Sequence, residues 1–163
     1  MKTFLEHSMP ITYEEEANII DILNTPKLWK AELHSTGGIS NAKNAAKIAA
    51  MMARGGPFEN IDILSEKTMK EAISDVQIRM DSAGDSFTAM SKGGFAEFEK
   101  FEILGEWKKG FFGWFGLGGS IIAFNPNEDI GFAFMPTGLK MGAVGDERGY
   151  ELIEEVLACI SKQ

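Results

Sequence analysis

Hydrophobic and polar positions repeat with a helical period in the first half of the chain and with a strand-like period in its last third. The spacing predicts a first helix over residues 12–23, where Thr12 and Glu15 form a capping box and Ala17, Ile19, Ile20 and Leu23 supply the apolar stripe. Glu14, Glu15 and Glu16 suit the positive end of that helix and read as a solvated start. Asn24-Thr25-Pro26 stops it. A second helix runs over residues 41–54, capped by Ser40 and closed by Gly55-Gly56-Pro57. Its Ala42, Ala45, Ala46, Ala49 and Ala50 let a neighbouring backbone come close, while Ile48, Met51 and Met52 add bulk. A third helix covers residues 65–73, again opened by a serine.

Residues 75–109 read as irregular, with short strands at 79–83 and 87–90 and a turn at Ser91-Lys92-Gly93-Gly94. A strand at 120–124, the turn Asn125-Pro126-Asn127-Glu128-Asp129 and a returning strand at 130–135 make a hairpin. The final helix, residues 146–160, places Leu152, Ile153, Val156, Leu157 and Ile160 on one side, expected to lie on that sheet. No repeat or low-complexity tract interrupts the pattern. The expected fold class is α+β: a helical segment followed by antiparallel strands covered by a C-terminal helix. The 163 residues form one region, mainly helical over 1–75, with sheet and final helix over 76–163.

Charge narrows the function. Twenty-four acidic against sixteen basic residues give a net charge of −8, without the basic cluster that a nucleic-acid footprint needs. No apolar run approaches the roughly 20 residues that span a bilayer. The opening Met1-Lys2-Thr3-Phe4-Leu5-Glu6 meets an acid too early for a secretory leader, so a cytoplasmic location is expected. The single cysteine, Cys159, rules out an intrachain disulfide framework and a cysteine zinc cage. Twelve Phe, nine Met and three Trp need a core or a partner surface to cover them.

Candidate chemistry is sparse. His7 and His34 lack ligand spacing, so neither metal nor cofactor is expected. No G-x-S-x-G is present for a serine triad. The run Gly113-Trp114-Phe115-Gly116-Leu117-Gly118-Gly119 lacks the phosphate-loop pattern and precedes a strand, where a phosphate loop precedes a helix. Its glycines allow close approach of backbone, with N–H groups able to meet an oxyanion. Ser40-Asn41-Ala42-Lys43 spells S-x-x-K, in which Lys43 would take a proton from a nucleophilic Ser40. The same residues are plain helix-start grammar, and neither Tyr13 nor Tyr150 is followed by x-Asn.

Two segments resemble a known family. Leu33-His34-Ser35-Thr36-Gly37-Gly38-Ile39-Ser40-Asn41-Ala42-Lys43-Asn44-Ala45-Ala46-Lys47, running on to Gly56, is similar to a Gly-Gly-Ile-Ser segment of the β-lactamase-related serine hydrolases. That family includes class C β-lactamases, penicillin-binding-protein-like peptidases and a branch of carboxylesterases. The run from Gly113 to Ser120, with the hairpin after it, looks like the family's third motif. The resemblance extends from about Pro26 to the end and implies the C-terminal part of a β-lactamase-like transpeptidase fold. It implies that Trp114 stands at the first position of the third motif, as tryptophan does in the carboxylesterase branch. It also implies that the backbone N–H groups of Gly116 and Leu117 help form an oxyanion hole. Phe115 departs from the usual small residue. The family's own S-x-x-K and tyrosine motif lie N-terminal to everything matched, so Lys43 is not its catalytic lysine by this alignment.

The expectation is therefore the C-terminal portion of a serine hydrolase acting on a small ester or amide, without the nucleophile in this chain. The alternative is a non-catalytic binding or assembly module on the same scaffold, and a third reading is a compact enzyme using Ser40 and Lys43. A second copy or a missing N-terminal half would cover the surplus apolar surface.

Overall fold

The computed structural model describes residues 19–34, 37–81, 86–101, 104–140 and 145–162. The chain divides into two compact units, Met1–Ser40 and Asn41–Gln163.

In the first unit, helix α1 (Ile19–Leu23) ends where the Asn24-Thr25-Pro26 stop predicts. The remainder of the expected first helix, with Thr12 and the Glu14–Glu16 triplet, lies outside the described residues. The stop is also a restart: Pro26 opens a second short helix, α2 (Pro26–Trp29), at the position where a missing N–H costs nothing. Thr25 Oγ1 donates to the Asp21 carbonyl at 2.8 Å, and Trp29 Nε1 to that of Leu23 at 2.9 Å. Ile22 and Leu28 are buried between the two turns.

In the second unit, α3 (Ala42–Arg54) is capped by Asn41, not by Ser40 as the sequence suggests. Both residue types cap well, but it is Asn41 Oδ1 that accepts the Asn44 N–H at 3.0 Å. Gly55, at φ 66°, ends the helix in the left-handed conformation. Helix α4 (Glu66–Ala72) is capped by Ser65 as expected.

Among the described residues, six antiparallel strands form one sheet in sequence order: β1 (Gln77–Asp81), β2 (Ser86–Met90), β3 (Ala96–Glu97), β4 (Phe112–Phe115), β5 (Ile121–Asn125) and β6 (Ile130–Phe134). The middle region thus holds a hairpin, a two-residue strand and two 3-10 turns, Phe98–Lys100 and Glu106–Lys108. Strand β3 is defined by its partners, Met90 on one side and Phe112 and Gly113 on the other, and has no pattern of its own. The β5–β6 turn is closed by the buried Asn125. Its Oδ1 accepts from the amides of Asn127 and Glu128, and its Nδ2 donates to the Lys109 carbonyl at 3.2 Å.

Register and the two-residue period sort the side chains. The row Met90, Ala96, Gly113, Ala123 and Phe132 faces helix α5 (Glu147–Ile160). Here Phe98 stacks on Phe115 at 4.5 Å, and Trp107 stacks on Tyr150 at 5.4 Å. Among the described phenylalanines Phe98, Phe111, Phe115 and Phe124 are buried, only Phe87 is exposed, and the rest are partly covered.

Helix α5 corrects a second expectation. Ile153 is fully buried and Leu157 partly so, whereas Leu152, Val156 and Ile160 are exposed. Tyr150 on Trp107 and Gly149 over Ile121 and Phe134 set the rotation of the helix, turning that second apolar stripe outward.

On the other face the row Phe112, Phe124 and Gly131 lies under α3. A Cβ at Gly131 would sit 2.1 Å from the Ala50 nitrogen and 2.4 Å from its Cα. Helix backbone therefore rests directly on strand backbone, which is what the alanine-rich face of α3 permits.

Candidate active site

The next row on the α3 face is Trp114 of β4, Ile122 of β5 and Ala133 of β6. Helix α3 covers Phe124 completely but leaves Trp114 46% and Ile122 36% exposed. The result is an open apolar ledge beside the part of this face that α3 fills. Trp114 has this position because its neighbours along β4, Gly113 and Phe115, face the buried aromatic cluster.

Residues 116–120 connect β4 to β5. The Gly116 N–H donates to the Ser120 carbonyl at 2.8 Å, and the Gly119 N–H to the Gly116 carbonyl at 3.1 Å. Gly118 and Gly119, at φ 90° and 112°, take a backbone path closed to most side chains. Leu117 stands half-exposed at the tip. The Gly116 amide is thus engaged within the turn, and of the two candidate oxyanion donors it is the one already spent.

The structure brings Trp114, Gly116 and Leu117 together at one end of β4. Ser40 is exposed at the end of the first unit, and Lys43 is exposed in the first turn of α3. His34 is exposed in the first unit, while His7 and Tyr13 lie outside the described residues. Ile122, the partner of Trp114 on the ledge, does not stand out in the sequence. The hairpin that contains it is legible there, but pairing with Trp114 depends on the five residues of the turn.

Ionised groups adjoin the turn rather than the ledge. Lys140 donates its N–H to the Gly118 carbonyl at 3.0 Å. Asp146 is buried, and hydrogen bonds from Arg148 hold its carboxyl well below the usual carboxylate range. Burial pushes the Tyr150 phenol up, with the Asp146 charge acting in the same direction. A polar groove on β1 and β2, lined in part by Gln77, Arg79, Thr88 and Lys92, contains none of the site candidates. Among the described residues no group of three His, Cys, Asp or Glu could hold a metal ion. No helix among them is long and apolar enough to cross a membrane.

No family model matches the chain, and no curated protein matches it. Solved structures do. A family VIII carboxylesterase is similar at TM-score 0.64 and 28% identity, over 74% of this chain and 32% of that one. A penicillin-binding protein homolog from Caulobacter crescentus is similar at TM-score 0.64 and 23% identity, over 73% and 32%. EstA from Arthrobacter nitroguajacolicus Rue61a is similar at TM-score 0.67 and 21% identity, over 95% and 44%. The fold is β-lactamase-like, and the likeness is partial. The chain spans 32% to 44% of the length of these structures.

Proposed function

We propose that this chain is the C-terminal portion of a β-lactamase-like serine hydrolase, supplying the third-motif strand and the acyl-pocket wall. The observation that carries the reading is the ledge of Trp114 and Ile122, left open beside a glycine turn in a chain that matches only part of its structural neighbours. Burying apolar area on that ledge would contribute about 25 cal/mol per Å2 to holding an acyl group. The nucleophile would come from the portion not matched here. Its serine oxygen would attack an ester or amide carbonyl, and the proton it gives up would leave with the alcohol or amine. Water would then release the acid from the acyl-serine. Of the two third-motif donors, Leu117 N–H is the candidate for the oxyanion, because that of Gly116 is bonded to Ser120. A cytoplasmic location belongs to the same proposal, since Cys159 is a free, exposed thiol suited to a reducing compartment.

The engaged Gly116 amide also favours a second reading, a binding or assembly module that keeps the scaffold without the reaction. Treatment with a fluorophosphonate, followed by intact mass and peptide mapping, separates the readings. The folded 163-residue chain is expected to take no label, and label on Ser40 would make it an autonomous enzyme using Ser40 and Lys43. In the full gene product, label on the serine of an upstream S-x-x-K supports the hydrolase, and no label supports the binding module.

A further inference from the structure

Asp146 begins α5 as its N-cap, accepting the Arg148 N–H at 2.9 Å. A cap needs no buried charge, because serine or asparagine at the surface does the same work. Yet the Asp146 side chain has no exposed surface at all, an arrangement that costs free energy unless every oxygen is engaged. Arg148 engages both oxygens, Nε to Oδ1 at 2.8 Å and Nη2 to Oδ2 at 2.6 Å, and Lys140 Nζ lies 3.8 Å from Oδ1.

The group that the carboxylate abuts is the glycine turn. A Cβ on Gly119 would sit 2.7 Å from Asp146 Cβ and 3.0 Å from Oδ2. A second route leads to the same turn. Arg148 Nη2 also donates to the Gly138 carbonyl at 2.8 Å, and two residues on, the Lys140 N–H holds the Gly118 carbonyl. Leu139 lies over Gly118, within 2.8 Å of where a Cβ would be. Gly118 and Gly119 are thus each held from behind, one by a peptide segment that Arg148 anchors and one by Asp146 itself.

We propose that Asp146, through its ion pair with Arg148, is a positioning residue that fixes the backbone of residues 116–120 beside the Trp114 ledge. Its place in catalysis rests on the hydrolase reading above; its hold on the turn does not. The test is residue-resolved amide exchange by NMR on the 163-residue chain and its Asp146→Asn variant. Asparagine keeps an oxygen for the cap but loses the charge that holds Arg148. Exchange at the Gly116, Gly119 and Lys140 amides is expected to accelerate by about tenfold or more, while α3 amides stay within about twofold. Unchanged exchange at those three amides overturns the proposal. So does equal acceleration throughout, which would mark Asp146 as a general stabiliser. Should the asparagine variant not fold, Arg148→Lys, which keeps the charge but loses the two-pronged contact, must accelerate the same three amides selectively, or the proposal fails. A chain that proves to have no part in acyl transfer would still give the expected exchange pattern, so the two readings fail separately.

Discussion

Gly131→Ala tests whether α3 is seated on β6 as described. The added Cβ would lie 2.1 Å from the Ala50 nitrogen, and ordinary contact begins near 3.4 Å, so helix and strand must part by about 1.3 Å. The atoms in the way belong to helix backbone, which cannot rotate aside as a side chain can. A gap of 0.5–1 Å already forfeits about a quarter to a half of each dispersion contact. The contacts at risk are those of Ala49, Ala53 and Phe124, each less than 5% exposed. Overpacking a core costs about 1–3 kcal/mol, and a backbone clash belongs at the upper end. Loss of glycine's freedom in the unfolded chain returns about 0.4–1 kcal/mol. The net expectation is a loss of about 2–3 kcal/mol. With a urea m-value of about 2 kcal/mol/M, the unfolding midpoint falls by about 1–1.5 M. Gly56→Ala, where nothing lies within 4 Å of the new Cβ, is the control and should change stability by less than about 0.5 kcal/mol. Midpoints for the two variants that agree within error would refute the contact of α3 with β6.

Neighbouring residues on β4 should behave oppositely on truncation. Phe115→Ala removes a ring stacked on Phe98 and should cost about 3–5 kcal/mol by urea denaturation, whereas Trp114→Ala on the open ledge should cost about 1 kcal/mol or less. Equal losses would mean that the strand's two faces have been assigned wrongly. A pH series should show the Asp146 ion pair. Its carboxyl titrates below the usual 3.8, so the unfolded chain binds its proton first as the solution is acidified. The stabilisation is therefore complete above about pH 5 and drains away as pH falls below about 4. Asp146→Asn should flatten that limb of the stability curve, and a limb of unchanged slope would count against the pairing with Arg148 and Lys140.

What the sequence reveals of this molecule follows from how local each signal is. Gly55 closing α3, Ser65 opening α4 and the Asn125 turn depend on residues within four positions of one another, and each is legible. The choice of Asn41 over Ser40 is a matter of one side chain reaching Asn44, which composition does not decide. Strand β3 and the rotation of α5 are set across the fold, by Met90, Phe112 and Gly113 in the one case and by Trp107 in the other. The same limit governs the candidate site. Trp114 and the glycine turn stand out as a motif, but Ile122 joins them only through register, and the engagement of Gly116 is a hydrogen bond that no spelling records.

Every strand of the sheet is hydrogen-bonded to its neighbour in sequence, from β1 through to β6, and the elements that cover it belong to the same compact unit. A sheet threaded in this way grows by closing short loops one after another, and no strand waits for a distant one to be inserted between two others. In genetic terms such a block is portable. It can be fused, separated or joined to a different neighbour without any of its five registers having to be relearned, and additional strands can join at its edges without rethreading those already there.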